Sequence, residues 1–290
     1  MSNIDDDRNE NQLKLEVSDD ELVIFNNLIE KSEYPKELIS KLNINKETLK
    51  YLNNQSISIE ICQTILNLKF INYAFKPTER AVPKAVPLNR AVPKTRPLNR
   101  VVPNARPLII TDAMCSVGGD TINFAKYFGT VYANELNKNS YNLMINNLKL
   151  LSIDNVLGIN LNYLKIYNII NQDIIYLDFP QSTYPVQKVS TNSTNSTNST
   201  NSKTEKIKIY LVEEMNKKLE LCDLLDNIHN NHYNTFNRVN LLKYIIIKLP
   251  INYDMETLKK FIKDKYEIEL EKKYDSVNTI IIYLHLITKN

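Results

Sequence analysis

Apolar positions along this chain fall into distinct regimes. Residues 1–17 are polar and charged with no apolar period, and are expected to form a disordered tail. Over residues 18–76 the period is helical. Ser18 and Glu21 have capping-box spacing, and Leu22, Phe25, Leu28 and Ile29 follow on one face. Asn45 can cap a second helix carrying Leu49 and Leu52, and Ser58 a third carrying Ile61, Ile65 and Leu68. The expectation is a small N-terminal helical module. From residue 108 the pattern changes to alternating strands and helices. Strands are expected at Leu108–Ala113, Thr130–Asn134, Val156–Leu161 and Asp173–Leu177, with helices at Gly119–Phe128 and Asn137–Leu151. Further on come a strand pattern at Ile207–Val212, a helix near Leu219–Ile228, a strand at Tyr244–Leu249 and a helix at Met255–Lys263. Strand patterns at Tyr266–Lys272 and Thr279–Leu286 end the chain. Alternating units of this kind specify an α/β fold, Rossmann-like, with a doubly wound and mostly parallel sheet over residues 108–290. The last two strands, close in sequence, suit an antiparallel pair at one edge.

Two biased segments interrupt this order. Residues 77–107 contain R-A-V-P-K-A-V-P-L-N, then R-A-V-P-K-T-R-P-L-N, then R-V-V-P-N-A-R-P-L-I, a ten-residue repeat with two prolines per unit. Proline removes donors and disfavours helix at the residue before it, so an extended, solvated conformation is expected. Arg80, Lys84, Arg90, Lys94, Arg96, Arg100 and Arg106 make it basic. Composition favours a semi-rigid linker; the alternative is an arm that follows a phosphate backbone. Residues 188–204 are dominated by repeated Ser-Thr-Asn, with nothing to bury, and read as a loop inserted into the domain.

Charge and cysteine usage narrow the chemistry. The formal net charge of +3 over 290 residues argues against a chain that is a basic nucleic-acid binder throughout, so any basic surface is local. Cys62, Cys115 and Cys222 are far apart, and His229, His232 and His285 add no ligand spacing, so neither a disulfide framework nor a metal site is expected. The start lacks a basic and apolar leader, and the apolar runs are too short to span a bilayer. A soluble intracellular protein, cytoplasmic or nuclear, is the expectation.

Chemistry is concentrated at three strand ends. Asp112-Ala-Met-Cys-Ser-Val-Gly118-Gly119-Asp-Thr121 follows the first strand and opens a helix, and it holds two of the chain's four glycines. Glycine serves where backbone must approach a ligand or take positive φ, and the helix start presents free N–H groups. Glu135 ends the second strand about twenty residues later, placed to accept from both ribose hydroxyls of a nucleoside. The fourth strand runs into Asp178-Phe179-Pro180-Gln181. An acceptor there faces the same crevice and can orient an amine for methyl transfer, where alignment is the main task.

These residues resemble the trimethylguanosine synthase family, the RNA cap guanine-N2 methyltransferases, including its viral-type members. D-A-M-C-S-V-G-G-D-T is similar to that family's D-A-F-C-G-V-G-G-N-T. Asn134-Glu135 stands where the family has its ribose-binding acid, and Asn162 where an Asp meets the adenine side of the cofactor. Lys248-Leu-Pro250-Ile-Asn252-Tyr253-Asp254 resembles its K-x-P-x-N-[FY]-D run. The likeness covers about residues 105–265. It implies S-adenosyl-L-methionine (SAM) as cofactor, held by Asp112, Cys115, Gly118, Gly119, Thr121, Glu135 and Asn162. It implies capped RNA as partner, with Asp178, Phe179 and Pro180 as catalytic residues. The family's Pro-Pro-Trp is Phe-Pro-Gln here, Ser116 replaces a loop glycine, and the chain has no Trp. Phe179 and Tyr184 are the nearby aromatics that would take the place of the Trp that stacks on the cap. Two further readings stay open: a catalytically degenerate relative kept as an RNA-binding or interaction module, and a methyltransferase for another nucleobase amine.

Overall fold

The computed structural model describes residues 55–71, 106–179, 209–212, 218–234, 242–275 and 279–287, together with Leu38, Lys41 and Leu42. The expected tail, the first two N-terminal helices, most of the proline-arginine repeat and the Ser-Thr-Asn insert lie outside the described residues.

Helix α1 (Gln55–Leu66) is followed by β1 (Ile109–Asp112), α2 (Gly119–Tyr127), β2 (Thr130–Asn134), α3 (Lys138–Leu150) and β3 (Val156–Ile159). A 3-10 turn at Tyr163–Lys165 leads to β4 (Ile174–Asp178), then β5 (Tyr210–Val212) and β6 (Lys218–Glu220). Helix α4 (Leu221–Asn234), β7 (Tyr244–Pro250), α5 (Met255–Ile262), β8 (Tyr266–Tyr274) and β9 (Thr279–Leu286) complete it. Seven strands form one sheet in the order β3-β2-β1-β4-β7-β9-β8. The first five are parallel, and β9 runs antiparallel to both β7 and β8. The expected antiparallel pair is therefore present, with the last strand inserted between β7 and β8. The chain builds outward from β1 through β2 to β3, then returns to place β4 on the other side of β1. That reversal opens a crevice at the carboxyl ends of β1 and β4, where open α/β sheets bind ligands.

Side-chain alternation sorts the sheet into two covered faces. Ile110, Val131, Ile174, Tyr176, Tyr244, Ile246, Ile281 and Tyr283 face a core completed by Phe124 and Phe128 at α2 and by Ile57, Ile61, Cys62 and Ile65 of α1. Met144 and Leu148 of α3 cover Ala133 alongside. Ile175, Leu177, Ile245, Ile247, Ile282 and Leu284 face α4 and α5 on the other side. Burial on both faces is why β4, β7 and β9 read as continuous apolar runs rather than alternating ones.

Three details differ from the sequence reading. Ser58 lies inside α1 rather than capping it: the helix starts at Gln55, and the Ser58 hydroxyl donates across to Asp120. The Ile207–Val212 pattern yields only β5, which pairs with β6 in a separate two-stranded ribbon and does not join the main sheet. Strand β3 stops at Ile159, because the Asn160 side chain turns back to donate to the carbonyls of Glu135 at 2.7 Å and Leu136 at 3.1 Å.

The opposite, amino-terminal edge of the sheet is fastened by charge. Asp173 is fully buried and receives both Arg106 guanidinium nitrogens, at 2.9 and 2.5 Å, and the Ile109 N–H at 2.9 Å. Next to it, the Tyr244 hydroxyl donates to Glu269 at 2.5 Å and accepts from the Phe70 N–H at 3.1 Å, just beyond α1.

Candidate cofactor and methyl-transfer site

The loop between β1 and α2 is held from behind. The Cys115 N–H donates to the Asn134 carbonyl at 2.9 Å, and Asn134 Nδ2 donates to the Ala113 carbonyl at 3.0 Å. Asn147 of α3 donates to the Val117 carbonyl at 3.0 Å. Gly118 turns the chain into α2 with φ of 93°, a left-handed conformation that suits glycine, and an added Cβ there would meet Met144 Cγ at 3.0 Å. Ser116 also takes a left-handed φ, of 51°, at the position where the resembling motif has glycine. The loop shape therefore persists with a residue that adopts it less readily.

Asp112 and Thr121 face each other beneath this loop. The Thr121 hydroxyl donates to Asp112 Oδ2 at 2.6 Å, and both residues are buried. Burial pushes the Asp112 carboxyl well above its ordinary range, the nearby Asp120 carboxylate adds to the rise, and the Thr121 hydroxyl partly offsets it. Cys115 is buried and its thiol is pushed up by burial and by Asp112, so it lines the loop as a small apolar group. Gly119 begins α2, and its half-buried backbone lies at the helix's positive end.

Glu135 closes the side of the site. One carboxylate oxygen accepts the Ser116 N–H at 2.9 Å and the other the Asn137 N–H at 2.7 Å. Burial raises its carboxyl above the ordinary range, and those donors pull it partly back. Leu136 and Leu161 beside it are exposed, 62% and 51%, two apolar side chains on the lip next to an acceptor carboxylate. Asn162 caps the 3-10 turn, its side-chain oxygen accepting the Leu164 N–H at 3.0 Å. These features fit the nucleoside half of SAM. A carboxylate is available for the ribose hydroxyls, leucines for a flat base, and a helix start for the methionine carboxylate.

Asp178 ends β4 across the crevice. Register places it opposite Lys248 on β7, and Lys248 Nζ meets Asp178 Oδ2 at 2.6 Å. The pair is largely enclosed, with side chains 11% and 16% exposed. Burial, the largest single influence, would lower the Lys248 ammonium, but the carboxylates of Asp178, Asp120 and Asp112 together outweigh it and the net shift is upward. Sequence reading placed Lys248 within the K-x-P-x-N-[FY]-D run but gave it no role, although a further signal was present. A lone lysine interrupts the apolar run Tyr244–Leu249, and an enclosed lysine needs a partner. Phe179 faces the other way: it is buried in the core on the α4–α5 face, so only its backbone is at the crevice. Pro180 and Tyr184 lie outside the described residues. Among the described residues there is no group of His, Cys, Asp and Glu able to hold a metal ion, and no helix long and apolar enough to cross a membrane.

The sequence profile of the RNA cap guanine-N2 methyltransferases matches residues 108–284, more than half of the chain. The chain belongs to that family. The loop, the acidic residue at the end of β2 and the strand order are those of the Rossmann-like class I SAM methyltransferase fold. The chain is similar to "Uncharacterized protein L320" of Acanthamoeba polyphaga mimivirus, 31% identical over 145 residues. That match covers 49% of this chain and 52% of the relative, so the aligned part spans about half of each. Among solved structures, precorrin-6y C5,15-methyltransferase of Geobacter metallireducens GS-15 is 12% identical, covering 86% of this chain and 95% of that one at a TM-score of 0.45. Trm5b from Pyrococcus abyssi is 15% identical, covering 61% and 44% at a TM-score of 0.36. M. jannaschii TYW2, solved with AdoMet, is 16% identical, covering 61% and 67% at 0.33. At such scores these likenesses add nothing to what the strand order already states.

Proposed function

We propose that this methyltransferase acts on capped RNA and methylates the exocyclic N2 of a 7-methylguanosine cap. The observation that carries the proposal is the enclosed Asp178–Lys248 pair at the carboxyl edge, next to the cofactor loop, in a chain of the cap guanine-N2 family. When bound, SAM supplies an electrophilic methyl group on a sulfonium. The task left to the protein is to bring an amine of low basicity into line with it. A guanine N2 amine donates N–H bonds and its lone pair is drawn into the ring. A carboxylate accepting one N–H orients the nitrogen and stabilises the positive charge that develops there. Lys248 pairs with Asp178 and fixes its rotamer, so Asp178 orients the amine and can take up a proton after transfer. The backbone carbonyl of Phe179 offers a further acceptor for the amine. Asp112, Cys115, Gly118, Gly119, Thr121, Glu135 and Asn162 hold the cofactor.

The test is transfer of labelled methyl from SAM to matched RNAs carrying a 7-methylguanosine cap, an unmethylated guanosine cap or a 5′ triphosphate. Label recovered as an N2-methylated cap nucleoside from the first RNA alone supports the proposal. Label in an internal base overturns it in favour of another nucleobase amine. That second reading is favoured by one specific observation: the chain has no Trp, and the Phe179 ring is buried. A stacking aromatic contributes about 1–3 kcal/mol to holding a base. SAM binding without transfer to any RNA leaves a fold kept for interaction.

A further inference from the structure

Helix α1 lies outside the residues that match the family, yet it touches the cofactor loop. The Ser58 hydroxyl donates to Asp120 Oδ1 in a buried hydrogen bond. The Tyr176 hydroxyl donates to Asp120 Oδ2 at 3.2 Å. Asp120 is 9% exposed, in the first turn of α2 between Gly119 and Thr121. Thr121 in turn donates to Asp112, and Tyr176 lies two residues before Asp178 on the same strand. One carboxylate thus joins α1, the helix start that serves the cofactor, and the strand that carries the acceptor.

The residue type at this junction is informative. In the motif that the loop resembles, this position is Asn, whose amide both donates and accepts. An ionised aspartate only accepts. Once enclosed it needs a donor on each oxygen, because a buried carboxylate left half-satisfied is strongly disfavoured. Here two hydroxyls donate to it, one of them from α1.

We propose that Ser58 is a positioning residue for SAM: through Asp120 it fixes the first turn of α2, so α1 sets the affinity of the cofactor site without touching the cofactor. This inference concerns the cofactor alone and does not depend on the RNA substrate. Removing the Ser58 hydroxyl takes away one of the hydroxyl donors to Asp120. The carboxylate then rotates or draws in water, and the turn carrying Gly119 and Thr121 loosens. Binding must then re-order that turn, which appears as weaker affinity.

The experiment titrates the full chain with SAM calorimetrically and records the thermal midpoint of each variant. Ser58→Ala should weaken SAM binding about three- to tenfold, and Ser58→Thr should restore it to within about twofold, the magnitude expected when one hydrogen bond to a charged group is lost in part. Tyr176→Phe removes the other donor and should weaken binding in the same direction. Ile65→Val thins the packing of α1 without reaching Asp120, and should lower the midpoint while leaving SAM affinity unchanged. In turnover assays, Ser58→Ala should raise the KM for SAM by the same factor as its binding constant and change kcat less. Unchanged SAM affinity in both Ser58→Ala and Tyr176→Phe overturns the proposal. So does a loss of affinity in Ile65→Val that tracks its midpoint as it does in Ser58→Ala, which would make α1 packing alone. Absence of SAM binding by the unsubstituted chain overturns the proposal together with the cofactor assignment.

Discussion

Glu135 holds two loop N–H groups in the structure, and its chemistry has opposite consequences for folding and for binding. Its carboxyl titrates above the ordinary range, chiefly through burial. Between the ordinary and the raised value the folded chain holds more protons than the unfolded one. The ionised carboxylate therefore costs stability, and this contribution is recovered as pH falls through the raised value. SAM affinity should run the other way, because the ribose hydroxyls donate to the ionised form. Titrations across pH should show affinity falling as pH drops through that same value, while the thermal midpoint of the protein without SAM gains from this group. Glu135→Ala should weaken SAM at least about thirtyfold, the loss expected for two hydrogen bonds to a charge. Across the crevice, Lys248→Met should leave SAM affinity within about twofold and lower kcat about ten- to a hundredfold, because it frees the orientation of Asp178. Single-turnover rates at saturating SAM are the check. The turn from β1 into α2 and the acidic residue after β2 were legible in the sequence because glycine and acid stand at fixed offsets from two strands. The pairing of Lys248 with Asp178 was not, because the two are 70 residues apart and meet only through the β4–β7 register.

Elements follow the same division. Strands buried on both faces were readable as short continuous apolar runs and helices with one apolar face from their period, and the boundaries at Thr130–Asn134 and around Asn137 match, the latter because Asn137 caps α3. The ribbon of β5 and β6 was not readable as a pair: each strand has three residues, too few to show alternation. That ribbon has a use. Phe179, where the chain departs for the Ser-Thr-Asn insert, and Ile209, where it returns, lie in one apolar cluster, and the Leu221 N–H donates to the Ile209 carbonyl at 3.1 Å. The connection therefore leaves from and returns to one base, the apolar core on the α4–α5 face. Deleting residues 188–204 shortens the connection from 29 residues to 12, counted between Phe179 and Ile209. Loop closure then favours the folded state by about 0.8 kcal/mol. A thermal midpoint equal to or slightly above that of the full chain, with SAM affinity retained, is the expected result. A collapse of either would show that the insert carries structure the base does not.

For the whole molecule, the helical period in Ile61, Ile65 and Leu68 announced an apolar face but could not say what covers it. The basic repeat that follows suggested a separate module. In the structure α1 completes the core over Tyr176, Tyr244, Ile246 and Tyr283, and Lys272 ties it to the edge strand through Glu60 at 3.0 Å and Thr64 at 2.8 Å. A fragment beginning at Arg106 keeps every residue of the family match and loses that cover. It should aggregate or bind an apolar dye strongly, whereas the same fragment with residues 55–71 supplied as a tethered segment should not. One arrangement at the amino-terminal edge reaches further. Phe70 is bound at Tyr244 and Arg106 at Asp173, and those two residues are joined, the Tyr244 N–H donating to the Asp173 carbonyl at 3.3 Å. The proline-arginine tract, residues 72–105, thus begins and ends at neighbouring points on the edge opposite the crevice. Adding one ten-residue unit to a loop closed in this way costs about 0.2 kcal/mol. Folding exerts almost no selection on the number of units, so lineages carrying this gene should differ from one another by whole repeats, as a length polymorphism that drifts while the catalytic half stays fixed.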